Sequence, residues 1–119
     1  MSAPSLVLRL IDIIEAIERI RGETAGMTLD AFEDDWRKRR LVERGVEIIS
    51  EASRHLTDEL KSRYPEIPWP KVAGIGNVLR HEYERIAPDV LWSVARDDLP
   101  PLEKVCREEL TAERSRERE

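Results

Sequence analysis

The feature that most constrains this chain is its opening run. Leu6, Leu10, Ile13, Ile14, Ile17 and Ile20 recur at the spacing of one helix face, with Arg9, Asp12, Glu15 and Arg19 between them. A half-buried strand would instead show apolar residues at every second position. The run therefore predicts a first helix, capped by Ser5 and ended by Gly22 and Gly26. The same charges, with Glu18, make it too polar for a signal peptide or a membrane span.

Helical spacing recurs along the chain. Thr28 opens a short helix through Phe32, and Asp30 and Asp34 suit its dipole. A longer helix follows from about Trp36 to His55, with Leu41, Gly45, Ile48, Ile49, Ala52 and Leu56 as its apolar stripe. Gly45 inside that stripe permits close packing against a neighbour. Thr57 to Tyr64 reads as a short helical turn, and Pro65, Pro68 and Pro70 punctuate a loop around Trp69. Pro70 suits the first position of the next helix. A last helix starts near Pro88, is kinked or restarted at Pro100 and Pro101, and continues through Leu102, Val105, Cys106 and Leu110. Thr111 to Glu119 is almost all charge and reads as a frayed tail. No stretch alternates as a strand does. The expected fold is an all-α antiparallel bundle of about four to five helices, one domain over 1–110 with a charged tail at 111–119.

Charge narrows the function classes. With 38% charged residues and a net charge of −5, the chain is a poor sequence-blind binder of long nucleic acid, although a local basic patch could still touch it. Arg37, Lys38, Arg39 and Arg40, with Arg44 a turn later, form the one dense basic run. It either guides RNA or an acidic partner, or is a solvated face paired with Glu43, Glu47 and Asp34 or Asp35. Cys106 stands alone, which excludes an internal disulfide and a cysteine-rich zinc site and suits the reducing cytoplasm. Glu47 and Glu51 lie one turn apart but do not by themselves make a metal site, and no cofactor is expected. His55 reads as a surface residue, and Trp36, Trp69 and Trp92 as core or interface anchors.

The segment richest in chemistry is Gly76 to Tyr83. At about 100° per residue, Asn77, Arg80, His81, Tyr83 and Glu84 fall with Gly76 inside one arc of roughly 160°. Val72, Ile75, Val78 and Leu79 fall on the other side, and Glu82 points toward them. One helix face thus gathers an amide, a guanidinium, an imidazole and a phenol. An imidazole titrates near neutral pH and a guanidinium can hold a phosphate, so the face could do acid–base work. The plain alternative is a solvated face, as most polar helix faces are, with a structural histidine.

The residues themselves go further. Pro65-Glu66-Ile67-Pro68-Trp69, Val72-Ala73-Gly74, Asn77-Val78-Leu79 and His81-Glu82-Tyr83 resemble the signature of the HepT-like family of small helical HEPN-domain proteins. Glu47 to Ala52 and Asp98 to Leu102 resemble two further segments of that family, so the likeness runs from about Leu6 to Leu110. The resemblance implies a homodimer whose motif helices line a shared cleft. It implies a ribonuclease toxin, paired with an MNT-like nucleotidyltransferase antitoxin that silences it by transferring AMP to the motif tyrosine. Carried over position by position, His81 matches the catalytic histidine, Asn77 the polar helper and Tyr83 the AMP acceptor. The motif arginine is Gly76 here, a departure. Losing a cation that stabilises charge on a reacting phosphate lowers rates by on the order of a thousandfold. Arg80, one turn on along the same face, is the expected substitute. The alternative is a catalytically degenerate HEPN protein that serves as a binding partner or AMP acceptor.

Overall fold

The opening run folds as α1, Ala3–Thr24, and buries Leu10, Ile13, Ile14, Ile17 and Ile20 as its spacing predicts. The computed structural model describes residues 3–82 and 87–118, with side chains except at residues 3–5, 80–82 and 117. The ends of α1 differ from expectation. Ser5 lies inside the helix, and Gly22 does not stop it. The stop comes at Gly26, whose φ of 77° only glycine adopts without strain.

The remaining elements are α2 (Leu29–Asp34), α3 (Trp36–Ser53), α4 (Asp58–Arg63), α5 (Trp69–Glu82), α6 (Pro88–Ser93), a π-helical turn (Val94–Asp98) and α7 (Leu99–Glu117). No strand occurs among the described residues. Three short polar side chains start helices by accepting an otherwise unpaired amide. Thr28 takes the Ala31 N–H at 3.1 Å, Asp35 the Lys38 N–H at 3.0 Å and Thr57 the Leu60 N–H at 3.1 Å.

Four longer helices carry the bundle. α3 packs against α1 on one side and α5 on the other, and α7 packs against α1. Each of these pairs runs antiparallel, as the cross-contacts show: Glu23 with Lys38 and Ile20 with Gly45, Arg54 with Ala73 and Ser50 with Gly76, Arg21 with Glu103 and Glu18 with Arg107. At Gly45 the absent side chain lets α1 close in. A Cβ there would stand 2.6 Å from Ile20 Cδ1.

The core stripe of α3 is rotated from the predicted one. Val42 and Val46 are buried with Gly45, Ile49 and Ala52, while Leu41 and Ile48 are only half-buried. α3 has neighbours on two flanks, so its buried arc turns toward the gap between them. The chain's end also differs. Pro100 and Pro101 have no N–H to continue the ladder, the preceding turn widens to π, and the Leu99 N–H reaches back to the Val94 carbonyl. Beyond Leu110 the helix continues to Glu117 instead of fraying. Glu113 is buried and holds Arg116, which also reaches Glu109 at 2.9 Å.

Candidate functional site

α5 is fixed at both of its inner edges. At its start, the buried Trp69 donates its indole N–H to the Lys61 and Tyr64 carbonyls, each at 3.1 Å. The helix begins at Trp69, one residue before the predicted Pro70 start, because the indole and the Pro68 carbonyl already organise the first turn. Leu79 is fully buried, and Val72 and Ile75 pack against the core. Val78 is 43% exposed, so the apolar side of this helix is narrower than predicted.

The second edge joins α3 to the segment of interest. Ser50 Oγ donates to the Ala73 carbonyl at 2.6 Å and accepts the Gly76 N–H at 3.2 Å. Arg54 donates to the same carbonyl from Nε at 3.2 Å and from Nη2 at 2.9 Å. A hydroxyl and a guanidinium thus clasp one turn of α5. Gly76, placed by periodicity on the polar arc, is buried against α3 instead. Asn77, one turn after Ala73, is exposed beside this seam.

The backbone of α5 carries Arg80 one turn beyond Gly76, and His81 one turn beyond Asn77. The side chains of Arg80, His81 and Glu82, and Tyr83 and Glu84 altogether, lie outside the described residues. Neither Ser50 nor Arg54 stood out in the sequence as a partner of this segment. The available signal was a small polar residue one position from the apolar stripe of α3, where a serine can satisfy a neighbouring helix's backbone.

The arc of α3 that turns toward solvent between α1 and α5 is cationic. Arg40 pairs with Glu43 at 3.6 Å and Arg44 with Glu47 at 3.5 Å, which bears out part of the solvated-face reading. Lys38 leaves that arc for Glu23, at 2.6 Å. Burial raises the Glu43 carboxyl above its ordinary range, with Arg40 pulling weakly the other way. Trp36 is not a core anchor, for it is exposed, with the Arg37 guanidinium 5.8 Å from its ring centre. Trp92 packs on Phe32 at 5.2 Å and carries Arg96 at 4.4 Å. His55 is a surface residue, as predicted, and meets Glu51 at 3.1 Å.

Other features carry less chemistry. An apolar cavity of about 200 Å³ lies between α3, α5 and the start of α7, lined by Val46, Ile49, Val72, Ile75 and Leu102. Cys106 is fully buried. Burial, with Glu103 and Glu109 nearby, pushes its thiol up to about 12, so it stays protonated and unreactive. No group of three or more His, Cys, Asp or Glu suited to a metal ion occurs among the described residues, and none of the described helices is long and apolar enough to cross a membrane.

The fold and this seam define a class: a small all-helical protein whose motif helix is docked on a central helix and shows an amide to solvent. Comparison with known proteins gives the family. The family model described as "Ribonuclease HepT-like" matches residues 13–109. A protein of Methanocaldococcus jannaschii named "Putative RNase MJ1380" is 31% identical over 104 residues, covering 87% of this chain and 95% of its own length. One of Thermococcus cleftensis named "Probable ribonuclease HepT" is 38% identical over 93 residues, covering 78% and 84%. No solved structure matches. The chain belongs to the HepT-like ribonuclease family.

Proposed function

We propose that this chain is the ribonuclease toxin of a toxin–antitoxin pair. It works in the cytoplasm as a homodimer, and a cognate MNT-like nucleotidyltransferase silences it by moving AMP from ATP to the Tyr83 hydroxyl, with release of pyrophosphate. Family membership and relatives named as ribonucleases support the activity. The observation that carries the site is the seam of α3 and α5, where Ser50 and Arg54 hold the helix that bears Asn77 and His81. In this reading His81 transfers the proton at the reacting phosphate, and an imidazole in that role contributes about 10²–10⁴-fold. Asn77 orients the histidine or the substrate, and Arg80 holds the phosphate charge that position 76 cannot reach.

A second reading rests on Gly76 itself. It offers no side chain, and its backbone is committed to Ser50. A protein built so could keep Tyr83 as an AMP acceptor without cutting RNA. Inducing the chain alone in a bacterial host separates the two, since growth arrest is expected of the toxin and unimpeded growth of the degenerate protein. An Arg80→Ala protein that arrests growth as well as the wild type removes Arg80 from the account. Incubation with the nucleotidyltransferase and ATP, followed by mass measurement, is expected to add one or more AMP units. Equal addition to Tyr83→Phe would remove Tyr83.

A further inference from the structure

The exposed arc of α3 is layered in a way that a merely solvated face need not be. Along its first three turns Glu43 and Glu47 are sunk and the cations stand outermost, while Glu51, further on, is exposed beside His55. The Arg40 side chain is 62% exposed above a Glu43 that is 17% exposed, and Arg44 is 72% exposed above a Glu47 at 25%. Trp36, at the head of the same arc, is 59% exposed in a chain with only 5% aromatic residues. Leaving an indole in water forgoes the burial that usually places this residue, and the ring, with the Arg37 guanidinium 5.8 Å from its centre, is exposed to a partner.

From these observations we infer that Trp36, Arg37, Arg40 and Arg44 form a binding surface for single-stranded RNA. The arginines take backbone phosphates and Trp36 stacks a base. The cations lie on one helix face, and Arg37 to Arg44 spans about 10 Å along the axis. Trp36 adds a stacking platform at the end of that row, which a duplex, its bases already stacked, cannot use. Across the groove between α1 and α3, the α1 wall carries Asp12, Glu15 and Glu18 with one cation, Arg19, and its net negative charge favours a strand on the α3 side. About 21 Å along the axis from Trp36, on the buried α5 flank of the same helix, Ser50 clasps α5 one turn before Asn77. The surface therefore leads flanking nucleotides toward the motif helix. The choice of RNA over another single-stranded polyanion rests on the ribonuclease reading. The geometry of the surface does not.

The test is binding, read separately from cleavage. A fluorescent oligouridine of about 12 nucleotides is titrated with His81→Ala protein, so that no probe is cut, and the affinity is followed from about 50 to about 200 mM salt. Replacing Arg37 and Arg44 together by Ala is expected to weaken binding about tenfold or more and to flatten the log–log salt slope by about 0.7 per arginine removed. Trp36→Ala is expected to weaken it about tenfold with little change of slope, and Trp36→Phe to recover most of the loss. Arg114→Ala, on the far helix α7, is expected to change neither. Both the tryptophan and the arginines are exposed, and unchanged circular dichroism is expected of every variant. Wild-type affinity in the double arginine variant, or equal preference for an RNA duplex, overturns the inference. So does a variant that loses affinity for an acidic polypeptide while keeping that for the RNA. Absence of cleavage by the wild-type protein, with binding and its losses intact, overturns the ribonuclease reading and leaves this surface standing.

Discussion

Two regions of this molecule use the same charged residues in opposite ways. On α7, Glu103, Glu109 and Glu113 point inward. Glu109 is buried and accepts from Arg63 at 2.8 Å, Arg116 at 2.9 Å and the Tyr64 hydroxyl at 3.1 Å. Glu103, also buried, takes Arg21 through both oxygens, at 2.5 and 3.1 Å, and Arg107 at 2.9 Å. These contacts tie α7 to α1 and α4 and are satisfied within the chain. On α3 the pairs are local, one turn apart, and the arginine is the outer member. At 3.6 and 3.5 Å these pairs are looser than those on α7, and each arginine stays in solvent, so the cation can turn to a ligand. An inward charge needs all its partners and serves the fold, whereas an outward cation over a sunken carboxylate remains available for function.

The largest stability effect should fall on the inward region. Glu109→Ala removes the shared acceptor of three donors and is expected to destabilise the protein by about 2–3 kcal/mol, below the loss for a wholly buried pair because the arginines are partly solvated. Denaturant unfolding measures this, and RNA binding by the folded fraction should not change. A loss under 0.5 kcal/mol would mean that α7 does not depend on these contacts, and the contrast would fail.

Ser50→Ala comes next. It strips the Gly76 N–H of its side-chain acceptor and the Ala73 carbonyl of one donor, for about 1–2 kcal/mol. If Ser50 positions the motif helix, RNA cleavage at saturating substrate should fall by more than the folded fraction does, while oligouridine affinity holds. Ser50→Thr, which keeps the hydroxyl, should recover part of the rate. Parallel losses of fold and rate would reduce Ser50 to packing.

The smallest effect sharpens the outward region. Burial raises the Glu43 carboxyl, so the folded protein holds its proton more readily than the unfolded chain. Its ionised form therefore weighs against folding at neutral pH, and that penalty vanishes as pH falls below the ordinary value of 4.5. Glu43→Gln is expected to raise Tm slightly at pH 7 and not at all at pH 4, and to tighten RNA binding by removing a competing anion. A lower Tm at pH 7 would show that the pair with Arg40 outweighs desolvation.

Much of the bundle was legible in the sequence, because its signals are local. α1 declares itself by spacing, and Thr28 and Thr57 mark helix starts by their own side-chain chemistry. Where structure and spacing differ, neighbours decide. Leu41 and Ile48 compete with Val42 and Val46 for the core of α3, and only the positions of α1 and α5 decide between two stripes one residue apart. The charged end of α7 looked unable to order itself until Arg116 met Glu109 and Glu113. At the site, the motif residues were readable as a pattern on one helix. The burial of Gly76 and the clasp from Ser50 and Arg54 were not, since they join residues 19 to 26 positions apart.

If the exposed face of α5, held on α3, is a ribonuclease site, cleavage depends on His81. Cleavage of an unstructured RNA by purified wild-type and His81→Ala proteins, matched for folding and for oligouridine affinity, tests it most directly. The wild type is expected to cleave, and His81→Ala to lose about 10²-fold or more in rate with binding unchanged. Equal cleavage by the two proteins, or none by either, would contradict this reading.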